Sequence, residues 1–204
     1  MRARLAILSS GHRVELREIL LRDKPKAFLE TSPSATVPAL RLDDTVLDES
    51  LDIMLWALKQ HDPEGLLRMP STGWDLIKAN DGSFKQALDR TKYATRYPEH
   101  DPDTERAKAS EFLRRLDTQI GDNTWLFGHA PTVADIALLP FIRQFAYIDR
   151  SWFDAQPWPH LRGWLDRFLE STAFAQIMQK YPLWSEGADP ILFCQSNAAP
   201  HAPG

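Results

Sequence analysis

A chain of 204 residues with 43% hydrophobic residues is long enough to bury one large or two small hydrophobic cores. The net charge of −4 argues against a nucleic-acid-binding role that rests on bulk charge, and no apolar run approaches the ~18 residues of a membrane span. The single cysteine excludes an internal disulfide and fits a reducing compartment, so we expect a cytosolic protein.

The first sixty residues mix helix and strand patterns. A helix is predicted over residues 1–8, with Gly11 near its end at the usual stop position, and its amphipathic start does not resemble a signal peptide. A strand is predicted over residues 14–21 and a short helix over residues 24–31.

The most informative segment follows at residues 36–50. It predicts a strand entered through the Val37-Pro38 bond, a tight hairpin at Asp43-Asp44, a second strand, and a helix that begins at Glu49-Ser50. A helix N-terminus carries unpaired N–H groups and about half a positive charge, so it accepts a carboxylate, while Glu49 can accept an ammonium. Both ends of one amino acid could bind there, although an ordinary hairpin followed by a capped helix explains the same residues.

The chain is predicted to be helical after this point. The helix that begins at Ser50 ends near Gln60, and a linker continues to about Thr72. The later helices are predicted over residues 74–96, with a weak point at Asp81-Gly82, over residues 103–120, after Pro131, and over residues 161–169 and 174–181.

The start of the helix after Pro131 is specified by a capping box. Thr132 stands at the N-cap and Asp135 three residues later, so each side chain can satisfy the other's free backbone N–H. We interpret both residues as structural. Pro140 within this helix removes one hydrogen bond and predicts a kink.

Four segments together resemble the glutathione transferase family in its bacterial form: residues 16–25, 36–56, 80–93 and 131–145. The resemblance implies an α+β two-domain fold, with a thioredoxin-like, glutathione-binding domain over residues 1–61 and a linker over residues 62–73. An all-helical domain over residues 74–187 and a loose tail over residues 188–204 would complete it. The resemblance also implies a homodimer.

Residue roles can be carried over from the family to this sequence. The resemblance implies that the Val37-Pro38 bond is cis, that the backbone of Val37 binds the cysteinyl part of glutathione, and that Glu49 and Ser50 hold the γ-glutamyl end. Lys24 would meet the glycyl carboxylate. Tyr93 and Tyr97 are candidates for the electrophile pocket, although packing of aromatic side chains within a helical bundle explains them too.

The catalytic turn of the family has no counterpart in this sequence. The family places a strand and a turn with the catalytic Tyr, Ser or Cys before a helix like the one that already contains Met1, so we expect the nucleophile upstream of Met1. That strand is internal, between the strands predicted near Val14 and Ala39, and its loss leaves backbone groups unpaired at about 1–3 kcal/mol each where buried. Three explanations are consistent with the missing strand. The start codon is misassigned and the natural protein is longer, which we favour; the gap is filled by rearrangement or by a partner chain; or the domain is a degenerate relative.

The resemblance implies a protein that binds glutathione as its co-substrate and conjugates it to an electrophile or exchanges it with a disulfide. The alternative is a non-catalytic module of the same fold that binds glutathione or another protein. The lone Cys194 lies far from any candidate base, so we do not assign it as the nucleophile. No metal-ligand spacing appears among the six histidines, and the natural electrophile cannot be read from the sequence.

Overall fold

The computed structural model describes residues 1–194. The chain forms two compact units. The first contains Met1–Glu64 and the chain from Gln176 onward, and the second contains Gly65–Ala175. The first unit therefore includes a C-terminal segment that the predicted boundaries had divided between the helical domain and a loose tail.

The first unit is built from short strands and three helices. Helix α1 packs against helix α3, and both helices bury apolar residues, among them Ala3, Ala6, Ile53 and Met54. Its elements, in chain order, are α1 (Arg2–Ser10), β1 (Val14–Glu15), α2 (Lys26–Thr31), β2 (Leu40–Arg41), β3 (Val46–Leu47), α3 (Ser50–Gln60) and β4 (Leu192–Phe193).

Two separate two-stranded sheets form in this unit instead of one continuous sheet. Strands β2 and β3 pair antiparallel as the predicted hairpin, with Leu40 opposite Leu47. Strand β1 pairs antiparallel with β4, with Val14 opposite Phe193. The sequence predicts a loose tail over residues 188–204 in which the apolar residues 191–193 could dock on the body of the protein, and Leu192 and Phe193 do pair with β1. Residues 195–204 of that tail lie outside the described residues.

Several predicted boundaries in the first unit change for local reasons. The predicted strand over residues 14–21 is reduced to Val14–Glu15, and the chain turns at Leu20, whose carbonyl accepts the Asp23 N–H. Helix α2 begins two residues later than predicted because the residue before Pro25 is disfavoured in helical conformation. Gly11 ends α1 in the left-handed conformation, with φ of 68°, as predicted.

The second unit is helical within the described residues. Its elements are α4 (Thr72–Ala79), a π-helical turn (Asn80–Phe84), α5 (Lys85–Lys92), a 3₁₀ turn (Ala94–Arg96), α6 (Pro102–Ile120), α7 (Val133–Ala146), α8 (Arg150–Asp154) and α9 (Pro159–Leu169). Helix α10 (Thr172–Ile177) crosses the boundary between the units. The predicted weak point is real, because Gly82 has non-helical angles of φ −93° and ψ −105°.

Helix α7 is buried along most of its length. Val133, Ala137, Leu138 and Ile142 are fully buried, and the helix continues through Pro140. None of the helices in residues 1–194 combines the length and the apolar character that crossing a bilayer requires.

Candidate functional site

A hydroxyl-rich loop in the first unit leads into the Val37-Pro38 bond. The hydroxyls of Ser34 and Thr36 lie 2.6 Å apart, and the Thr36 N–H donates to the Ser34 hydroxyl at 3.2 Å. The Ser34 N–H donates to the Asp48 carboxylate at 3.1 Å. Because Asp48 precedes helix α3 by two residues, this bond ties the loop to the N-terminus of that helix.

The Ser34–Asp48 link is stabilised by charge. Hydrogen bonds from Ser34, the hydroxyl first and the backbone N–H second, hold the pKa of Asp48 below its ordinary value. The carboxylate is therefore ionised at neutral pH, when it accepts these bonds most strongly.

The Val37-Pro38 peptide bond is cis, as the family resemblance implied. Val37 is 45% exposed. Both residues line a cavity of about 850 Å³ that lies wholly within the first unit. Helix α2 borders the same cavity through Phe28 and Thr31.

Glu49 and Ser50 stand at the beginning of α3, as predicted. Glu49 occupies the N-cap position in an extended conformation, and its side chain makes no capping hydrogen bond. The carboxylate is exposed and pairs with no cation within residues 1–194. It is therefore available to a ligand ammonium, next to the positive end of an eleven-residue helix.

Lys24 lies just before α2 and is half-buried. Its ammonium likewise has no carboxylate partner among the described residues. The Ser34–Asp48 bond thus ties the Val37 loop to the helix end that carries Glu49. Lys24 lies on the segment that leads into α2, apart from that bond.

The hydroxyls of the last two residues of α1 and the thiol of Cys194 make contacts within the protein. The Ser9 hydroxyl donates to Glu64 at 2.8 Å, and the Ser10 hydroxyl donates to the Ile7 carbonyl at 3.0 Å. Burial raises the pKa of Cys194 to about 11, and its thiol lies 3.5 Å from the Ile7 carbonyl. A thiol with this pKa is a poor nucleophile at neutral pH.

Tyr93 and Tyr97 belong to the second unit and lie at the end of helix α5, not within it. Tyr93 caps the helix, and the cations of Lys92 and Arg96 lie 4.9 and 4.7 Å from its ring centroid. Tyr97 follows the 3₁₀ turn, and its ring lies 6.4 Å from that of His100. Both tyrosines are half-buried.

Thr132 and Asp135 form the predicted capping box. Asp135 is fully buried and accepts more bonds than a cap requires, because its Oδ1 also accepts the Leu126 N–H and the Trp164 Nε1–H, both at 2.9 Å. Burial raises the pKa of Asp135, against these hydrogen bonds, which lower it. The residue joins α7, α9 and the preceding loop, which is a structural role.

The second unit has a smaller cavity of about 460 Å³ between α5 and α6. Phe84 and Phe112 form its apolar part, and the buried Glu105 at its edge lies 2.6 Å from the Lys108 ammonium and 3.6 Å from Arg90. Across residues 1–194, no group of three or more His, Cys, Asp or Glu side chains is arranged to hold a metal ion.

Comparison with known families identifies both halves of the chain. Residues 1–65 match the model of the glutathione S-transferase N-terminal domain, and residues 85–167 match that of the C-terminal domain. A probable glutathione S-transferase, parA of Nicotiana tabacum, is 30% identical over 156 residues, which cover 71% of this chain and 67% of the tobacco protein. The chain belongs to the glutathione transferase family.

Solved structures of glutathione transferases share the fold. A family member from Pseudomonas fluorescens with two glutathione molecules bound has a TM-score of 0.71 at 22% identity, covering 86% of each chain. The bacterial enzyme BphK, in a ternary complex, has a TM-score of 0.71 at 21% identity, covering 85% of this chain and 90% of its own. This glutathione transferase-family chain therefore has the expected thioredoxin-like and helical parts.

Sequence reasoning missed the part of Ser34 and Asp48 in this family member. The run Ser-Pro-Ser-Ala-Thr over residues 32–36 is typical of a turn, and Asp48 is a plausible acceptor before a helix. Their contact joins residues fourteen positions apart, which neither local pattern specifies.

Proposed function

We propose that this chain is a glutathione transferase-like protein that binds glutathione through the first unit and conjugates it to an electrophile or exchanges it with a disulfide. The main support is the Ser34–Asp48 hydrogen bond, which ties the loop before Val37 to the helix end that carries Glu49 and Ser50. Membership in the family supports the same assignment.

Each end of glutathione has a chemically suitable partner in this proposal. The N–H and C=O of Val37 pair with the cysteinyl backbone, since this residue is exposed beside the cavity. The N-terminus of α3 and the Ser50 hydroxyl bind the γ-glutamyl carboxylate, Glu49 accepts the γ-glutamyl ammonium, and Lys24 binds the glycyl carboxylate. In the second unit, Tyr93 and Tyr97 remain candidates for contact with the electrophile.

The non-catalytic alternative is favoured by a specific observation. Ser9 and Ser10 donate to protein acceptors, and the thiol of Cys194 has a raised pKa, so none of these three groups is set to activate a bound thiol. Family membership further supports a homodimer that acts in the cytosol, and the dimer can be measured by sedimentation velocity.

Calorimetric titration with glutathione tests the binding proposal. Glu49→Gln removes the ammonium acceptor and should weaken binding about tenfold, as expected for one charge-assisted hydrogen bond. The matched control is Glu30→Gln, which changes an exposed carboxylate that pairs only with Lys26 and should leave the affinity unchanged. Absence of heat and of competition by S-hexylglutathione would refute the binding assignment.

Turnover separates the two functions. The chain is assayed with glutathione and 1-chloro-2,4-dinitrobenzene for conjugation, and with hydroxyethyl disulfide for exchange. Turnover of either substrate supports the enzyme, whereas calorimetric binding without turnover of either supports the non-catalytic module.

A further inference from the structure

Positive charge collects around an aromatic ring at the end of helix α5. The Lys92 ammonium lies 4.9 Å and the Arg96 guanidinium carbon 4.7 Å from the centroid of the Tyr93 ring. Both cations are exposed, and neither has a carboxylate partner within residues 1–194. Two positive charges therefore lie beside one ring without an ion-pair partner.

Backbone hydrogen bonds fold the chain after α5 into successive tight turns. The Arg96 N–H donates to the Tyr93 carbonyl at 2.7 Å. The Tyr97 N–H donates to the Ala94 carbonyl at 3.1 Å, and the His100 N–H donates to the Tyr97 carbonyl at 3.0 Å. These bonds hold both tyrosines and one of the two cations in a single short segment, residues 92–100.

A buried carboxylate anchors this segment to helix α6. Glu105 is 2% exposed, and its carboxylate lies 3.8 Å from His100 Nδ1 and 3.6 Å from the Arg90 guanidinium. The Lys108 ammonium lies 2.6 Å from the same carboxylate. Arg90 and Lys108 thus have a partner within the fold, whereas the two cations beside Tyr93 have none in the part of the chain that the structure describes.

Compensation of the helix end explains only part of this positive charge. The C-terminus of α5 carries about half a negative charge, which basic residues in the last turn stabilise. Lys92 and Arg96 contribute two full positive charges, which exceed it. The single acidic residue in residues 93–100 is Glu99, and it lies 3.3 Å from His100 Nε2. A net positive charge therefore remains on the segment.

The unused polar groups of the segment suit an aromatic anion. The hydroxyls of Tyr93 and Tyr97 make no hydrogen bond within residues 1–194, so each can donate to a ligand. A guanidinium that is stacked on a ring still presents its N–H edge, which matches a carboxylate through two parallel bonds. The two tyrosine rings are half-buried and supply flat apolar surface for an aromatic group.

Tyr147 offers a comparison within the same unit. The guanidinium carbons of Arg143 and Arg150 lie 4.9 and 5.9 Å from its ring centroid. Arg150 is bonded to Asp154 at 2.9 Å and to Asp166 at 2.7 Å, so its charge is already paired, and the Nε of Arg143 is buried. The ring of Tyr147 therefore has fewer free cationic donors beside it than the ring at the end of α5.

We propose that the end of α5 selects an electrophile with an anionic group, namely an aromatic ring that carries a carboxylate or a sulfonate. The anionic group pairs with Lys92 and Arg96, and the ring packs against Tyr93 and Tyr97. This inference rests on the proposed function only in assigning the two tyrosines to the electrophile. Binding of an aromatic anion to the segment is measured without glutathione.

The probe is 3,5-dinitrobenzoate, and its uncharged counterpart is 3,5-dinitrobenzamide, which has the same ring. Each is titrated into the full chain labelled with 3-fluorotyrosine, whose four residues give fluorine NMR signals that single Tyr→Phe variants assign. The benzoate should shift the signals of Tyr93 and Tyr97 and leave those of Tyr147 and Tyr181 in place. It should bind at least about tenfold more tightly than the benzamide, because it gains charge-assisted bonds.

Substitution of the two cations tests where the selectivity arises. The double variant Lys92→Gln, Arg96→Gln should bind the benzoate no more tightly than the benzamide, and its affinity for the benzamide should be unchanged. The matched control is Lys78→Gln, which removes an exposed lysine of α4 and should leave the preference of the wild type intact. Circular dichroism verifies that both variants fold.

The proposal is overturned if the folded wild-type chain binds neither ligand or binds both equally tightly. It is also overturned if the Tyr147 signal shifts in place of the signals of Tyr93 and Tyr97, or if the folded double variant keeps the preference for the benzoate. Glutathione calorimetry on the same samples reports separately on the proposed function. Glutathione binding without benzoate binding removes only the substrate class, whereas benzoate binding without glutathione binding removes the proposed function and leaves an anion site.

Discussion

Replacement of Asp135 should destabilise the second unit more than the loss of a helix cap alone. Its Oδ1 accepts bonds from the Leu126 N–H and the Trp164 Nε1–H, and its Oδ2 accepts the Thr132 N–H at 2.7 Å and the Thr132 hydroxyl at 2.9 Å. The carboxylate is fully buried, so water cannot replace it.

The magnitude follows from the groups that would lose their acceptor. Asp135→Ala leaves three buried N–H donors unsatisfied, at about 1–3 kcal/mol each, and a loss of about 3–6 kcal/mol is expected. A domain is stable by only about 5–15 kcal/mol, so the variant should be close to unfolding at 37 °C. Trp164→Phe removes one of the donors and keeps an aromatic ring, so the cost of Asp135→Ala should be smaller in that background.

Urea unfolding monitored by circular dichroism measures these differences. Asp103→Ala is the matched control, because this first-turn carboxylate of α6 is 85% exposed and its 3.8 Å contact with Arg106 should contribute less than about 1 kcal/mol. A loss below about 1 kcal/mol for Asp135→Ala, or full additivity with Trp164→Phe, would refute the interpretation of Asp135 as a buried junction.

Three further predictions concern single groups. The pKa of Asp48 is lowered in the folded chain, so its link to Ser34 should persist above the ordinary pKa of 3.8 and be lost as the pH falls through the lower folded value. In an NMR titration, the chemical shift of the Ser34 amide should therefore change with a midpoint below pH 3.8. A midpoint at or above pH 3.8 would contradict this. Burial raises the pKa of Cys194 to about 11, so Ellman's reagent at pH 8 should react with the folded chain at least about tenfold more slowly than with the urea-unfolded chain. Equal rates would show that the thiol is not shielded. Gly11→Ala should destabilise the protein by about 1–2 kcal/mol through the positive φ of residue 11 alone, since an added Cβ meets no atom within 4 Å. The control Gly163→Ala, within α9, should stabilise it by about 0.5–1 kcal/mol in thermal unfolding. A stabilised Gly11→Ala variant would contradict the left-handed conformation of Gly11.

The features that the sequence predicted well depend on short stretches of chain. Helix α3 spans Ser50–Gln60 in both prediction and structure, because its apolar spacing and its capping signals lie within a dozen residues. The capping box of Thr132 and Asp135 is equally local, and so is the break at Gly82. The cis Val37-Pro38 bond, which the family resemblance implied, and the start of α3 at Glu49-Ser50 also lie within one short stretch, whereas the glutathione-binding roles of these residues stay predictions.

The features that the sequence did not predict depend on distant partners. The contact of the Cys194 thiol with the Ile7 carbonyl joins residues 187 positions apart, and β1 is paired only through the neighbouring residues Leu192 and Phe193. A strand is stabilised by what lies beside it, so residues 14–21 alone could not reveal that their partners lie in the distant segment 183–193.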